Sequence, residues 1–141
     1  MFFQLSRLKG LPVTSLADEV RVATVLDVVL HPETGKLIGF WVQPNGWFSP
    51  KRALSARDVT SYDSVAVVVQ NVEAFFPVDE IQPFHQIVIQ NESWLGKSVQ
   101  SETGESFGSV TDVIIDADLE MLTKIEVRTF LGSERLIPRN N

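Results

Sequence analysis

The sequence predicts an all-β chain built as two small barrels in tandem. Three observations carry this expectation. One hairpin pattern is written twice, short β-branched runs alternate with turn signals, and no stretch of useful length shows a 3.6-residue apolar period. The first hairpin runs from Val25 to Gln43, VLDVVLHPETGKLIGFWVQ, and the second from Val110 to Thr129, VTDVIIDADLEMLTKIEVRT. In each, an Asp opens a β-branched run, an acidic turn follows, and a second apolar strand leaves.

The duplication rests on three anchors in the same order. Gly10 aligns with Gly96 at an offset of 86, Asp27 with Asp112 at 85, and Arg52 with Arg135 at 83. Small drifts between ordered anchors describe a repeated unit. Each unit begins with a short strand after its Gly, at Pro12 to Ser15 and at Ser98 to Ser101. Polar turns follow at Ala17 to Glu19 and Glu102 to Glu105, where Gly104 supplies a residue free to take positive φ.

In the first unit the hairpin turn His31 to Lys36 holds Pro and Gly, and Leu37 to Gln43 leaves it as a strand. Pro44-Asn45-Gly46 is the next turn signal, Trp47 to Leu54 reads as a further edge, and Asp58 to Asp63 leads into the β-prone run Ser64 to Val69. Asn71 to Glu92 breaks the pattern with Pro77, Pro83 and several aromatic and aliphatic residues, too apolar for a free linker. It reads as a connector with at most a short helical turn. The expected organisation is a first unit over residues 1–80, a connector over 81–92 and an incomplete second unit over 93–141. After ERLIPRNN the first unit would call for one more strand, like Val65 to Val69, and the second unit stops without it. The chain is therefore expected to belong to a longer parent protein or to borrow that strand. An uncovered edge also invites a dimer through the second barrel.

Composition bounds the function. Hydrophobic residues at 44% and charged residues at 21% describe a folded, water-soluble chain, expected in the cytoplasm. The net charge of −6 argues against broad phosphate-backbone binding, so nucleic acid is not the expected partner. Absence of cysteine removes disulfides, thiolate catalysis and Cys-based metal sites. No apolar run approaches the ~20 residues that cross a bilayer, and MFFQLSRLKG is too short in apolar residues for a secretory signal. Membrane contact would be peripheral.

The motifs L-x-G-x-x-V, D-V-V-L-x-P-E-T-G-K-L-I-G-F-x-V, G-W-F-x-x-K-R and D-V with its Val-rich strand resemble the PRC-barrel family. The second unit matches with L-G-K-S-V, T-G-E-S-F-G-S-V-T-D-V-I-I-D and R-L-I-P-R-N-N. Two positions depart: Leu54-Ser55 stands where the second unit has Ile137-Pro138, and Ala23 where it keeps Gly108. The family is similar to the cytoplasmic domain of the photosynthetic reaction-centre H subunit and to the C-terminal domain of a ribosome maturation factor. The resemblance implies a barrel that docks onto larger assemblies and carries no shared catalytic residues. A membrane-bound photosynthetic or electron-transfer complex is the expected host. A ribosome- or RNA-associated assembly factor is the alternative, and it would need a coherent Lys/Arg face, for which Lys51, Arg52 and Arg57 are the candidates.

No residue set points to catalysis, a cofactor or a metal. Asp27 and Asp112 read as structural acceptors for nearby amides. Asp116, Asp118 and Glu120 crowd one turn but lack the Gly and later Glu of a calcium loop. His31 and His85 have no partner at ligand spacing and read as surface residues. The expected partner contacts are Trp47 and Phe48 with the cations Lys51 and Arg52, an aromatic tip that suits a protein partner, a membrane interface or stacked bases, and the carboxylates Asp116 and Asp118. Phe2 and Phe3 fit either an initial strand or a weak membrane touch.

Overall fold

A computed structural model describes residues 1–31, 33–46, 48–77, 95, 97–100, 103–129 and 134–138. Two sheets account for nearly all of them. The first orders its strands β6-β7-β2-β3-β4-β5-β8 and comprises β2 (Pro12–Ser15), β3 (Val20–Leu30), β4 (Leu37–Pro44), β5 (Arg52–Ser55), β6 (Val59–Asp63), β7 (Ala66–Val69) and β8 (Phe75–Pro77). Every neighbour is antiparallel except the β2·β7 pair, which is parallel. The second sheet holds β9 (Ser98–Gln100), β10 (Ser106–Asp116), β11 (Met121–Arg128) and β12 (Glu134–Pro138). It also holds β1 (Phe2–Gln4), which lies antiparallel on the far end of β10, Phe3 opposite Ile115. The first residues of the chain thus complete the sheet of the second unit.

The repeat is exact enough to reproduce irregularities. Ladder breaks fall between Val25 and Asp27 and between Val29 and Leu30 on β3, and between Val110 and Asp112 and between Ile114 and Ile115 on β10. Each position is displaced by 85 residues from its counterpart. Such bulges bend a strand and raise its twist, which lets an eleven-residue strand curl around a core. Short hairpin turns repeat their backbone too. Gly35 and Glu120 are equivalents, and both sit in the left-handed region, at φ 73° and 52°. Glu19 and Gly104 form the second such pair, at 57° and 89°.

The two hairpin tips meet across an approximate two-fold. Leu37 N donates to Glu120 O at 2.8 Å and Leu122 N donates to Gly35 O at 2.8 Å. Leu122 and Glu120 are the repeat equivalents of Leu37 and Gly35, so the contact is self-complementary, as in a symmetric dimer. Behind it lies one core. Val13, Val25, Phe40, Val42, Leu54, Val67 and Val69 from the first sheet join Val110, Val113, Ile115 and Leu122 from the second. Each such side chain removed from water contributes about 1.5–3 kcal/mol, so the units are fused energetically as well as covalently.

Four local features refine these expectations. Leu5–Leu8 forms a single helical turn, α1, with Leu5 and Leu8 both buried at i, i+3. Residues 48–51 are not strand; the edge begins at Arg52. The run from Asp58 to Val69 splits into β6 and β7, because Asp63 Oδ1 accepts from Val65 N (3.3 Å) and turns the chain there. Phe75–Pro77, read as connector, pairs with β5. The connector over 81–92, with His85, lies outside the described residues. Phe3 is buried in the core and Phe2 is exposed, so the N-terminus is a strand.

Candidate docking surfaces

The two Asp residues that open the hairpins build the site between the units. Each accepts from the amide of the residue just after it, beside the bulge: Asp27 Oδ1 from Val28 N at 2.8 Å, and Asp112 Oδ1 from Val113 N at 2.9 Å. Their remaining lone pairs diverge. Asp112 is buried and accepts Ser6 N at 3.1 Å and Ser6 Oγ at 2.5 Å, from the first turn of α1. Asp27 is half-exposed and meets Lys9 Nζ at 3.5 Å, just past the end of the same helical turn. One turn of helix therefore bridges both copies of the repeated Asp.

Glu126 faces Thr111, whose hydroxyl donates to its Oε1 at 3.1 Å. Its repeat equivalent is Trp41. Likewise Thr123 replaces Ile38. In the first unit Ile38, Trp41 and Phe76 pack on the buried Val29 and Ala53, and Lys51 Nζ sits 5.1 Å from the centre of the Trp41 ring. A cation over a ring face is attracted by the ring quadrupole. The outer face of the first sheet is thus apolar and aromatic where the second is polar.

The loop from Pro44 to Lys51 leaves the edge of this face, and it is pinned. Asn45 N donates to Val22 O at 3.0 Å and Asn45 Nδ2 to Arg21 O at 2.7 Å. Ser49 Oγ donates to Asn45 O at 2.8 Å, and Gln43 Nε2 to Ser49 O at 2.7 Å. Gly46 turns the chain at φ 117°, where a Cβ would lie 2.8 Å from Ser49 Oγ. These bonds hold Phe48 out in water at 96% exposure. Arg52 is half-buried in β5. Trp47 lies outside the described residues.

Asp116 and Asp118 lie elsewhere. They occupy the tip of the second hairpin, which meets the first hairpin's tip. The Phe48 loop leaves the opposite end of β4, roughly 20 Å away at about 3.3 Å per strand residue. Asp116 is buried, and its Oδ1 accepts Asp118 N (2.9 Å) and Leu119 N (3.2 Å), closing the turn. Asp118 is exposed and pairs with the Met1 amine at 2.7 Å. That hydrogen bond, with the charge of Asp116 adding to it, raises the pKa of the amine above its ordinary value and keeps it charged to higher pH. Met1 O in turn accepts from Ala117 N at 2.9 Å. The five described contact residues therefore fall into two separate sets, Phe48, Lys51 and Arg52 at one end and Asp116 and Asp118 at the other, and Asp116 Oδ1 is consumed by its own turn.

A model of the PRC-barrel domain matches residues 1–76 and again 87–141. The chain belongs to the PRC-barrel family. Both copies of the hairpin fall within the matched ranges, so this PRC-barrel protein is a tandem. No curated protein matches the chain. PRC barrels are in general non-catalytic interaction domains.

Two features of this PRC-barrel tandem escaped sequence reasoning. Tyr62 packs against Phe3 (ring centroids 6.0 Å) and Phe40 (6.2 Å), and its hydroxyl is buried with no hydrogen-bond partner among the described residues. Burial, with the charge of Glu120, pushes its phenol pKa well up and keeps it protonated. It borders a cavity of about 500 Å³ lined by Met1, Thr60, Ser61, Tyr62, Ala117 and Asp118, between the first sheet and the end of the second. Only the topology brings these residues together. His31 is a turn cap, its Nδ1 accepting Glu33 N (3.1 Å) and Thr34 N (3.3 Å). Among the described residues no group of three His, Asp or Glu could hold a metal ion, and no helix is long and apolar enough to cross a membrane.

Proposed function

We propose that this tandem is a non-enzymatic docking module that seats on a larger protein assembly through the Phe48 loop. The observation that carries the reading is the exposure of Phe48 on a loop whose four hydrogen bonds leave it little freedom to fold back. A large apolar side chain held in water by a rigid loop loses little entropy on binding and gains the full value of its burial. Lys51, seated over Trp41, and the half-buried Arg52 add positive charge near it. The expected host is a membrane-bound photosynthetic or electron-transfer complex, met from the cytoplasmic side. That assignment rests on family likeness and is analogy.

Support for the RNA-associated alternative is thinner. Lys51 is directed over Trp41 and Arg52 is half-buried, so two of its three cations already have protein contacts. Affinity purification of the native protein at low salt, with membrane and ribosomal fractions analysed separately, tests the choice. Recovery of a membrane complex that Phe48→Ala abolishes supports docking. Recovery of ribosomal particles, lost on raising the salt, transfers the reading to RNA.

A further inference from the structure

The turn that starts the Phe48 loop carries a chemically reactive pair of neighbours. Asn45 and Gly46 are both exposed, and glycine has no side chain to shield its own amide nitrogen. Among the described residues the Gly46 N–H has no acceptor. The carbonyl of the same peptide is engaged: Asn45 O accepts from Ser49 Oγ at 2.8 Å. A hydrogen bond on that oxygen draws electron density out of the peptide and makes its N–H more acidic. The carboxamide within reach of that nitrogen is held by its own bond, Nδ2 donating to Arg21 O at 2.7 Å. Asn71, the other asparagine among the described residues, is built the opposite way. The β-branched side chain of Val72 crowds the next nitrogen, and Asn71 Oδ1 is tied to Glu73 N at 2.9 Å.

We infer that Asn45-Gly46 is a site of spontaneous deamidation in the folded chain, promoted by Ser49, and that it acts as a one-way clock on the Phe48 loop. The Gly46 nitrogen gives its proton to solvent and bonds to Asn45 Cγ. Nδ2 takes up a proton and leaves as ammonia, closing a cyclic succinimide. Water then opens the ring at either carbonyl, to aspartate or isoaspartate at position 45. One water enters, one ammonia leaves, and nothing is oxidised or reduced. Either product removes a pin from the loop. A carboxylate oxygen takes the place of the Nδ2 donor opposite the Arg21 carbonyl, so a hydrogen bond becomes a repulsion. Isoaspartate also lengthens the backbone at the turn. Phe48, in the same loop, then loses its rigid presentation, which lowers what it gains on binding. The chemistry at Asn45 stands apart from the docking proposal; only its effect on docking rests on that reading.

Peptide mapping by mass spectrometry, on the full chain held at neutral and at mildly alkaline pH, follows the reaction. Asn45 is expected to convert in the folded protein, faster at the higher pH, while Asn71 stays an amide. Ser49→Ala should slow the conversion about fivefold, the scale of one hydrogen bond carried into the barrier. Amide hydrogen exchange over residues 43–51 should quicken in the converted protein, and Asn45→Asp should reproduce part of that gain without ageing. The inference is overturned if Asn45 survives in the folded chain while converting in urea, because the bonds of the loop then protect it. Conversion of Ser49→Ala at the unaltered rate or faster also overturns it, since Ser49 then only restrains the loop. Recovery of the host complex separates the two proposals. Loss with Phe48→Ala but retention after conversion removes the clock and leaves docking; retention in Phe48→Ala sinks docking and leaves the reaction at Asn45 standing.

Discussion

The two copies of the hairpin share bulges, turn backbones and an Asp at the same place, yet they solve the same steric problems with different residues. At the position before the first bulge the first unit has Ala23, fully buried opposite Pro44. The second has Gly108 at φ 134°, where a Cβ would collide with the Arg128 carbonyl and come within 3.0 Å of Thr129 Cα. At the left-handed turn positions the glycine alternates: Gly35 against Glu120, and Glu19 against Gly104. A duplicated fold keeps backbone geometry first and lets side chains drift wherever the neighbouring strand has room.

The sharpest way to break the comparison is to exchange those residues. Gly108→Ala should lose about 2–4 kcal/mol, because the obstacle is backbone and the φ is one that L side chains rarely adopt. Ala23→Gly should lose only about 1–2 kcal/mol, for one buried methyl and the added freedom of the unfolded chain. Thermal or urea denaturation of both variants checks the ranking. Equal losses would mean that the two bulges are held by the same contacts.

The paired Asp residues come next. Asp112→Ala leaves the buried Val113 amide unpaired and breaks both bonds to the exposed Ser6, and should destabilise by about 1–2 kcal/mol. Asp27→Ala loses an exposed contact with Lys9 and one local amide bond, and should cost under about 1 kcal/mol. The difference should shrink in a Ser6→Ala background, which a double-mutant cycle measures directly.

Tyr62 has no counterpart in the second unit among the described residues, and it gives a pH test. Its phenol titrates above the ordinary value of 10.0 in the folded chain, so above about pH 10 the unfolded state binds fewer protons than the folded one and stability falls as pH rises. Tyr62→Phe should flatten that alkaline slope and change stability at neutral pH by no more than about 1 kcal/mol, in the stabilising direction. A clear loss at neutral pH would show that the hydroxyl bonds a water in the adjoining cavity.

The smallest effect is expected at the turns. Glu120→Gly relieves a left-handed residue and should be neutral or stabilising by up to about 1 kcal/mol, whereas Gly35→Glu should destabilise by about the same amount. Matching denaturation curves for the two would mean that the reciprocal bonds between the tips, and not residue type, set the turn geometry.

The sequence by itself determined the all-β class, the duplication and the place of each hairpin. Apolar alternation, β-branched runs and the spacing of Gly10, Asp27 and their equivalents are local signals, and the backbone obeys local sterics. The structural role of the two Asp residues was legible for the same reason, since each bonds the amide next to it. The exposure of Phe48 was only half legible: Asn45-Gly46 announces a turn, but the bonds that hold the loop reach back to Arg21 and Val22. Tertiary structure alone decided the rest. The one-turn helix at Leu5–Leu8 owes its place to a carboxylate 106 residues away, and four residues hold too little propensity to announce themselves. β1 joins the second sheet because Phe3 finds its cover between Tyr62 and Ile115, a meeting no sequence period encodes. Asp116 and Asp118 looked alike in a run of acids, and the fold separated them by burying one and leaving the other in water. Periodicity reports which face of a strand is apolar; which distant strand then covers it is settled by the closing of two sheets around one core.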